Sequence, residues 1–589
     1  MRLLLQLSLQ LRESCYQMKN NDVVKILYEI ADILEIQGVE FKPRAYRKAA
    51  QNIGSMSQDI EQLDNGGSLQ DIPGVGVAIA KKIHEYLSTG KLRYLEQLRI
   101  QTPVKVEELL SIEGIGPKTI KKLYDQLKIK NLFDLKKAAC SGKIRKISGM
   151  GEREEFNILR AIEFSRSYHK RVLLGVAKPI ADAILVDLRQ RFSSIEHSIS
   201  AGSLRRAKES VGDIDILVTT SDPGPIMDYF TRMKSVNQVL AKGLTKSAVI
   251  LDNKIQVDIR VVSDASFGAV LLYFTGSKNH NIALRKIAIS KKWKLNEYGL
   301  FDERNKQIAG HTEEGVYQKL GLDYIEPQLR EDTGEIQAAL CGELPKLVSL
   351  KDIKGDFHSH SSWSDGSYSI GDMAKAAISL GREYLVMTDH TGVLKIAGGL
   401  EPNDFKKQWR EIDALNKQFS KNDFMILKGC EVNIMDDGKP DLPDSVLKKM
   451  DVVVGSVHHG FKNSSQKMTK RIAAAMHNPN IDIIGHFSGR IINKREPYQY
   501  DFDELLDVAK QTRTVIEINS FPDRLDLKDS DIREAIKRGV KLCISTDAHA
   551  IAHLSNMQYG VATARRGWAE KKDVINWMTA ERVKEYFSP

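Results

Sequence analysis

The residues that organise this chain run from position 202 to position 218: Gly202-Ser203-Leu204-Arg205-Arg206-Ala207-Lys208-Glu209-Ser210-Val211-Gly212-Asp213-Ile214-Asp215-Ile216-Leu217-Val218. The alternation near the end of this stretch predicts a strand with Asp213 and Asp215 on the same face. Two adjacent carboxylates repel each other unless a cation lies between them, so the pair indicates a divalent metal such as Mg²⁺. The alternative is an edge strand with a solvated acidic face.

A second run of the same kind supplies a third acid: Gln256-Val257-Asp258-Ile259-Arg260-Val261-Val262. Its alternation predicts a strand with Asp258 and Arg260 on one face. If the two strands are neighbours, three aspartates can hold two metal ions about 3.5–4 Å apart, the arrangement for in-line phosphoryl transfer. The Gly202-Ser203 turn and the guanidinium of Arg206 would then donate hydrogen bonds to a triphosphate.

The composition restricts the possible classes of function. At 589 residues the chain has room for about four domains, and its 42% hydrophobic and 28% charged residues are typical of a globular protein. A net charge of +10 predicts an anionic partner, with nucleic acid the first candidate. Five cysteines without CxxC spacing indicate a reducing compartment, and no apolar run reaches the roughly 18 residues of a membrane span. We therefore expect a cytoplasmic protein with no membrane partner. Met18 resembles a natural start more than Met1 does, and the sequence leaves both open.

The N-terminal region is predicted to be helical, because residues 22–66 carry apolar side chains at spacings of three and four. Within it, the stretch Phe41–Ala50 groups Lys42, Tyr46 and Arg47. Such a group suits a DNA 5′-phosphate, and a solvated basic face is an equal alternative. We treat the three side chains as candidate DNA contacts.

Three Gly-x-Gly turns recur at intervals of roughly 35–40 residues, and each leads into a predicted helix. Glycines let the chain turn tightly beside a phosphate, which the free N–H groups of the helix start can then bind. Lysines follow the first two turns, whereas the third runs into Glu152, Glu154 and Glu155 and is interpreted as structural. The candidate DNA-contacting glycines are Gly74, Gly76, Gly114 and Gly116.

These turns resemble the helix-hairpin-helix motif, and with the two acidic strands they make the chain similar to the family X DNA polymerases, the relatives of DNA polymerase beta. The resemblance implies that Asp213, Asp215 and Asp258 hold Mg²⁺ and that Asp258 accepts the proton of the primer 3′-hydroxyl. It also places Lys82 where the family has the nucleophile of a 5′-deoxyribose phosphate lyase. Ala78 stands where the family has a further lysine of that pocket, so a plain phosphate contact by Lys82 is the alternative.

Further matches to the family follow the acidic strands. Tyr273-Phe274-Thr275-Gly276-Ser277 matches its sugar-sensing turn, Asn281 and Arg285 follow at its spacing, and Gln256 replaces an arginine that the family often has. The resemblance implies that Arg285 contacts the template or the minor groove. It implies nucleotide contacts by Gly202, Ser203, Arg206, Gly212, Arg171, Tyr273, Phe274, Gly276 and Asn281.

Beyond residue 350 the composition changes, since nine of the 14 histidines lie there. Seven short apolar runs, each followed by a helical pattern, predict an α/β barrel. Acids and histidines cluster where the runs end, which is where barrel enzymes keep their chemistry. One histidine at a strand end is usually structural, but nine ligand-type residues at such ends indicate bound metal. They are His358, His360, Asp365, His390, Glu431, His458, His486, Asp547 and His549.

This half resembles the PHP (polymerase and histidinol phosphatase) domain, a seven-stranded distorted barrel with a trinuclear metal site. The resemblance implies phosphoester hydrolysis with up to three bound ions, for which imidazole ligands favour Mn²⁺, Zn²⁺ or Fe. It also implies that Glu431 bridges metals. His459 and Arg490 are candidate phosphate contacts.

The sequence therefore predicts a multidomain chain with an α-helical helix-hairpin-helix region, an α+β nucleotidyltransferase palm and a C-terminal distorted (β/α)7 PHP barrel. The predicted domains are residues 18–100 (lyase-like), 101–168 (helix-hairpin-helix), 169–265 (palm), 266–330 (thumb), 331–353 (polar linker) and 354–589 (PHP). We predict a monomeric DNA-directed DNA polymerase that uses dNTPs to fill short gaps in 5′-phosphorylated duplex DNA during base excision repair. Its PHP domain would be a 3′–5′ exonuclease or a 3′-end or abasic-site phosphodiesterase. The alternatives are a non-templated nucleotidyltransferase and a catalytically weak DNA-end-binding scaffold.

Overall fold

A computed structural model describes residues 20–54, 60–72, 74–110, 115–152, 154–155, 158–159, 171–392 and 398–588. The chain divides into two compact units between residues 169 and 170. No helix in these described ranges is long and apolar enough to cross a membrane. Met18, the favoured candidate start, lies outside them.

The first unit is helical because its apolar side chains recur every three to four residues and so share one face of each helix. In α1 (Asn20–Ile36) this spacing buries Val23 and Leu27. Two hydrophobic cores hold the unit together, one among residues 23–98 and one among residues 36–158. The other described helices are α2 Lys42–Gly54, α3 Ile60–Asn65, α4 Val77–Thr89, α5 Arg93–Gln101, α6 Val106–Leu110, α7 Pro117–Leu127 and α8 Leu132–Cys140.

The palm opens the second unit. Its elements are β1 Val172–Leu173, α9 Leu174–Arg191, β2 Ile195–Ser200, α10 Gly202–Arg205, β3 Ser210–Val211, β4 Ile214–Thr220, α11 Pro223–Thr231, β5 Val236–Ala241, β6 Lys246–Leu251 and β7 Gln256–Val262. Five strands form a mixed sheet in the order β2-β4-β7-β6-β5, in which only β4 and β7 are parallel neighbours. Side chains of α9 and α11 share a core with Ile214, Ile216, Val257 and Ile259 on these two strands. This apolar face leaves the acidic residues of the strands on the other face.

The thumb region follows the palm. Its elements are α12 Phe267–Thr275, α13 Lys278–Ser290, β8 Lys294–Asn296, β9 Gly299–Phe301, β10 Gln307–Ala309 and α14 Glu313–Leu320. A buried ion network anchors it, because Glu313 accepts hydrogen bonds from Arg205 of the palm at 2.6 and 2.8 Å and from Arg330 at 2.5 Å. Burial opposes the ionisation of Glu313, but the two guanidinium groups outweigh it and lower the pKa to about 2.

Residues 331–353 are not the polar linker that the sequence predicts. They contain α15 (Glu335–Cys341), whose Ile336 is buried in the core of the thumb region. The Glu335 carboxylate is fully buried and lies 2.7 Å from His280 Nδ1. This helix is short and pairs its buried acid with a residue far along the chain, so no periodic pattern reveals it.

The last region is a barrel of seven parallel strands in chain order, as predicted. The strands are β11 Gly355–Asp356, β12 Tyr384–Met387, β13 Met425–Asn433, β14 Val452–Ser456, β15 Ile483–Ile484, β16 Val515–Asn519 and β17 Leu542–Ser545. The helices are α16 Ile370–Ser379, α17 Pro402–Phe419, α18 Asp444–Leu447, α19 Ser465–Met476, α20 Phe502–Thr512, α21 Asp529–Arg538, α22 Met557–Arg566 and α23 Ala580–Phe587.

A short set of contacts nearly closes the barrel. Ser359 and Ala548 form a parallel bridge just beyond β11 and β17. The amide of Asn576 donates to the Gly355 carbonyl at 3.0 Å and to the Ile544 carbonyl at 2.7 Å, and so joins the first strand to the last. The carboxyl ends of β11 and β17 are therefore neighbours.

We expect Glu313→Gln to destabilise the thumb region by about 3–5 kcal/mol, because it leaves Arg330 buried without its counter-charge. The midpoint of denaturant unfolding, followed by tryptophan fluorescence, measures the loss. The difference from wild type should vanish as pH falls from 4.5 toward 2, since the lowered pKa of Glu313 stabilises the fold only while the carboxylate is ionised. The control is Glu314→Gln on the exposed side of the same helix, and equal midpoints for the two variants would contradict the role of the network.

Candidate active sites

The first candidate site is formed by β4 and β7, which are neighbours, as the three-aspartate site requires. Asp215 is in register with Asp258, and Asp213 directly precedes β4. Two further side chains contact Asp258: Gln256 Nε2 donates to Oδ1 at 2.6 Å, and Lys246 Nζ lies 2.7 Å from Oδ2. Sequence reasoning missed Lys246, because only the antiparallel register of β6 and β7 brings it there.

The electrostatics of the three aspartates favour bound cations. Burial and the Asp258 carboxylate raise the pKa of Asp213. Burial and the charges of Asp213 and Asp258 raise the pKa of Asp215 to about 7. Divalent cations relieve such crowding, and carboxylate oxygens are the ligands that Mg²⁺ prefers. The residues present therefore fit a magnesium centre.

Gly202 brings the predicted triphosphate turn against the acidic strand. Its φ of +62° is left-handed, and a Cβ there would lie 2.4 Å from Asp215 Oδ2, so a side chain is excluded. Ala201 N donates to the Asp215 carbonyl at 2.8 Å. The short helix Gly202–Arg205, which contains Ser203, therefore starts beside the face of the sheet that carries the three aspartates.

Arg206 is held by the thumb region and by the segment after it. Nε donates to Glu331 at 2.9 Å, and Nη1 donates to the Thr275 carbonyl at 2.5 Å. Gly276 follows with φ of +69°, and a Cβ there would lie 3.1 Å from Arg206 Nη1. Two of the three guanidinium nitrogens are thus engaged by the protein.

Arg171 and Gly212 lie at the same end of the β1–β3 pair, because Val172 is paired with Val211. Arg171 donates to the hydroxyl and the carbonyl of Ser210 at 2.9 and 2.5 Å. Gly212 has open space where a Cβ would stand. The charge of Arg171 also acts on Asp213, where it opposes the rise in pKa that burial and Asp258 cause.

The last turn of α12 brings aromatic side chains of the thumb region to the palm. Asn281 Nδ2 donates to the Tyr273 carbonyl at 2.7 Å, and the Arg285 guanidinium lies 5.6 Å from the Tyr273 ring. The Arg260 guanidinium lies 4.4 Å from the ring of Phe274. The structure therefore brings the predicted sugar-sensing turn next to the face of β7 that carries Asp258 and Arg260.

The first unit carries the predicted lyase nucleophile. Lys82 Nζ donates to the Ala78 carbonyl at 3.2 Å and lies 4.5 Å from the centre of the Tyr94 ring. Burial and the charge of Lys42 lower the pKa of Lys82, which increases the neutral, nucleophilic fraction of its amine.

The other predicted 5′-phosphate contacts differ in exposure. Tyr46 is buried, and Arg47 donates to Asp32 at 2.6 Å and to Glu35 at 2.5 Å, whereas Lys42 is exposed. A phosphate would have to compete with two carboxylates for Arg47. Lys42 is therefore the most accessible of the three.

The glycine turns precede helices, as expected for a phosphate contact. Gly76 caps α4 and Gly116 caps α7, and neither has an atom within 4 Å of the place where a Cβ would stand. Gly74 has φ of +87°, and Gly114 lies outside the described residues. In the third turn, Glu155 is buried and paired with an arginine at 2.5 Å, which agrees with a structural role.

The second candidate site lies at the carboxyl ends of the barrel strands. Its ligand atoms form three groups in which all atoms lie within 4.8 Å of one another: His360, Asp365, His390 and His549; His358, His360 and Glu431; and His390, Glu431 and His458. His486 Nε2 lies 3.1 Å from Glu431, and Asp547 Oδ1 lies 3.3 Å from His360 Nε2. The structure therefore brings all nine predicted side chains together.

Glu431 is at the centre of this cluster. Its carboxylate lies 2.9 Å from His390 Nδ1 and 3.3 Å from Nε2 of both His358 and His458. Burial opposes its ionisation, yet His390 and His358 hold the pKa of Glu431 well below its usual range. A buried carboxylate shared among several imidazoles is in the position of a bridging ligand.

His360 supplies the clearest test of fit for a metal. Its ring is fully buried, and within the described part of the chain neither ring nitrogen makes a hydrogen bond of good geometry, although Asp547 Oδ1 lies 3.3 Å from Nε2. Burial and the neighbouring His390 and His549 lower its pKa to about 3, so the ring is neutral and can bind a cation. The cluster therefore fits metals that accept imidazole ligands.

Two buried residues that sequence reasoning missed orient the histidines. The Glu517 carboxylate lies 2.7 Å from His358 Nδ1, and Asn433 Oδ1 lies 2.7 Å from His458 Nδ1. Such partners fix the tautomer and orientation of metal-binding rings. A signal for Glu517 was present, because an acid within the run Val515-Ile516-Glu517-Ile518-Asn519 interrupts an otherwise apolar strand.

Arg490 is engaged between barrel and palm, which corrects its prediction as a phosphate contact. Its Nη2 lies 2.8 Å from Glu209 of the palm and also donates to the Leu525 carbonyl. Its Nε donates to the Arg524 carbonyl at 2.9 Å. His459 is exposed and remains a candidate.

Comparisons with known families agree with the order of these regions. The models that match are a helix-hairpin-helix domain at residues 18–92, a SAM-like helix-hairpin-helix tandem at 106–163, a DNA polymerase beta thumb at 270–331 and a PHP domain at 356–521.

Curated relatives match the whole chain or one half of it. The chain is 38% identical over 573 residues to the DNA polymerase/3′-5′ exonuclease PolX of Bacillus subtilis (strain 168), and the aligned region covers 97% of this chain and 99% of the relative. It is 27% identical to DNA polymerase lambda of Rattus norvegicus, over 53% of this chain and 56% of the relative. A probable phosphatase of Thermoanaerobacter sp. (strain X514) is 31% identical over 39% of this chain and 93% of the relative.

We expect the purified protein to retain Mn, Zn or Fe in the barrel through dialysis, because imidazoles bind these ions more tightly than Mg²⁺. His360→Ala should lower the retained metal, since His360 belongs to two of the three ligand groups. Plasma mass spectrometry of the dialysed protein measures the metal per chain. The control is His477→Ala, an exposed histidine of the same barrel, and equal metal content in the two variants would refute the assignment.

Proposed function

The chain belongs to the family X DNA polymerases that carry a C-terminal PHP domain, and we propose that it fills short gaps during DNA repair while its barrel trims 3′ ends. It is a metal-dependent DNA polymerase with a 3′–5′ exonuclease domain, and it binds DNA and nucleotides. The observation that carries the proposal is the presence of two separate ligand sets in one chain: three aspartates in the palm and nine side chains in the barrel. One site can then prepare the end that the other extends.

In the palm, we assign Asp213, Asp215 and Asp258 to Mg²⁺. Bound there, the ions supply charge stabilisation and alignment for in-line phosphoryl transfer. Asp258 accepts the proton of the primer 3′-hydroxyl on one of its carboxylate oxygens. Gln256 contacts Oδ1 and Lys246 contacts Oδ2, so one of these two contacts must open before the reaction.

The nucleotide is held by groups around these aspartates. Arg206, Arg171 and the backbone of Gly202-Ser203 bind its triphosphate, because guanidinium groups and free N–H groups form charge-assisted hydrogen bonds to phosphate oxygens. Tyr273 and Phe274 stand at the sugar, where their bulk excludes a 2′-hydroxyl. The carbonyl of Tyr273 is held by Asn281, which supports this position.

In the barrel, we assign the nine clustered side chains to Mn²⁺, Zn²⁺ or Fe. Bound there, the ions activate a phosphoester for hydrolysis. His360 stays neutral because it is buried among other imidazoles. Glu517 and Asn433 hold the rings of His358 and His458 in place.

The first unit binds the DNA phosphates. Lys42 and Lys82 contact a downstream 5′-phosphate, and the starts of α4 and α7 grip the backbone without reading its bases. We also propose that the protein acts as a monomer. We propose a cytoplasmic location, since the buried free thiols Cys430 and Cys543 suit a reducing compartment.

The two activities should be separable, because their ligands lie in different domains. Asp258→Ala should abolish nucleotide addition and leave 3′-end hydrolysis intact, and His360→Ala should do the reverse. Primer extension and digestion of a labelled 3′ end, each compared with a chelator control, measure the two reactions. If either substitution removed both activities in a protein whose circular dichroism is unchanged, the two-site proposal would be wrong.

Gapped DNA with a 5′-phosphate should be extended in preference to an open primer-template. The first unit would bind the downstream 5′-phosphate and the palm would bind the primer end. Two weak contacts to one DNA raise each other's effective concentration only when both can form at once, which requires a short gap. Lys42→Ala should erase the preference and leave extension of open templates unchanged. The matched control is Lys25→Ala, which removes an exposed lysine of α1. The preference should also weaken at high salt, since each phosphate contact adds about 0.7–0.9 to the salt slope of log affinity. Equal extension of gapped DNA with and without the 5′-phosphate, at low salt and limiting enzyme, would refute the assignment of Lys42 and Lys82 to the 5′-phosphate.

Lys82 should form a Schiff base with a 5′-deoxyribose phosphate, because its lowered pKa leaves a nucleophilic amine. Borohydride should then trap a covalent protein–DNA adduct, visible as a shifted band on a denaturing gel. Lys82→Ala should remove the adduct, whereas Lys81→Ala on the same helix should not. A wild-type protein that traps nothing would leave Lys82 as a phosphate contact.

A further inference from the structure

A residue of the barrel reaches the nucleotide-binding turn of the palm. Arg566, the last residue of α22, donates from Nη1 to the Arg206 carbonyl at 2.9 Å. The same nitrogen donates to Glu331 at 3.0 Å, and Glu331 Oε1 also accepts from Arg206 Nε at 2.9 Å. One carboxylate oxygen therefore joins the arginine of the barrel to the arginine of the palm.

Arg566 is fixed on its other edge as well. Its Nε and Nη2 donate to Asp529 at 2.9 and 2.5 Å, and its side chain is only 5% exposed. A planar guanidinium held on both edges is pre-organised and loses little freedom when its neighbour binds a ligand. Burial opposes the ionisation of Glu331, yet Arg206 and Arg566 hold its pKa below the usual range.

The palm and the barrel pack directly against each other around this array. Tyr559, on the same helix as Arg566, belongs to the hydrophobic core of the palm. A Cβ at Gly175 of the palm would lie 2.3 Å from the side chain of Pro522 of the barrel, so the proline ring packs where any larger residue would stand. Arg566 therefore belongs to a helix that is packed into the core that both domains share.

We propose that Arg566, although it belongs to the PHP barrel, is a positioning residue for nucleotide addition in the palm. It holds Glu331 and the end of the Gly202–Arg206 turn, and through them it directs the remaining guanidinium nitrogen of Arg206 to the triphosphate. This inference rests on the proposed function, which assigns Arg206 to that triphosphate. The barrel thus contributes to dNTP affinity independently of its own metal cluster.

The test is Arg566→Gln, assayed for single-nucleotide addition to a gapped DNA and for hydrolysis of a 3′ end. A charge-assisted contact that acts on binding should raise the KM for dNTP about five- to twentyfold, with kcat and 3′ hydrolysis within about twofold of wild type. The matched control is Arg565→Gln, because Arg565 lies on the same helix but contacts Val348, Gln328 and Glu326 rather than the palm turn. Its KM should equal that of wild type.

A double substitution tests the route of the effect. If Arg566 acts through Glu331, the KM of Arg566→Gln/Glu331→Gln should be well below the product of the two single effects. An unchanged KM in Arg566→Gln, fully multiplicative effects in the double variant, or a parallel loss of both activities in a protein whose circular dichroism is unchanged would each overturn the proposal.

A variant that fails to fold does not end the test. Asp529→Asn keeps Arg566 and loosens only its outer edge, so a smaller rise in KM is expected and an unchanged KM overturns the inference. Wild-type protein that adds no nucleotide at all would refute the proposed function instead, and the two failures are therefore distinguishable.

Discussion

The parallel pairing of β4 with β7 is the contact on which the polymerase half depends. It places Asp215 beside Asp258, and because side chains alternate along a strand, a slip of one residue would move Asp258 to the opposite face. The register is held by the buried apolar face of the same strands, where Ile214 and Val257 are paired. The packing that forms the core therefore also crowds the carboxylates. That crowding raises the pKa of Asp215 and makes a divalent cation the natural occupant.

Closure of the barrel has the same importance for the hydrolytic half. The ligands come from strand ends spread along most of the domain, and the first and last of them are far apart in the chain. The bridge between Ser359 and Ala548 brings the ends of β11 and β17 together, so that His360 lies beside Asp547. Glu431 on β13 then occupies the middle, surrounded by imidazoles. The site forms only when all seven strands are in place, because each contributes to one edge of the barrel.

The two sites share one compact unit and are joined by packed side chains. Tyr559 of the barrel enters the palm core, and Arg490 pairs with Glu209 across the junction. An ion array formed by Arg566 and Glu331 extends this junction to the Gly202–Arg206 turn. The barrel therefore packs against the palm close to the acidic strands and is linked to that turn by hydrogen bonds.

Local patterns were enough to predict the seven-stranded barrel and two sets of candidate ligands, and the structure brings the members of each set together. Period-two alternation places carboxylates on a shared strand face, and ligand-type residues at successive strand ends can meet only at one end of a barrel. Other features depend on residues that are distant in the chain. Lys246 needs the β6–β7 register, Glu335 needs a histidine from another helix, and Glu517 needs the closed barrel to reach its imidazole. Arg490 looked like a phosphate ligand, and its true partner lies 281 residues away. Alternation is a property of neighbouring residues and is visible in the sequence, whereas ion pairs between domains exist only after both surfaces have packed.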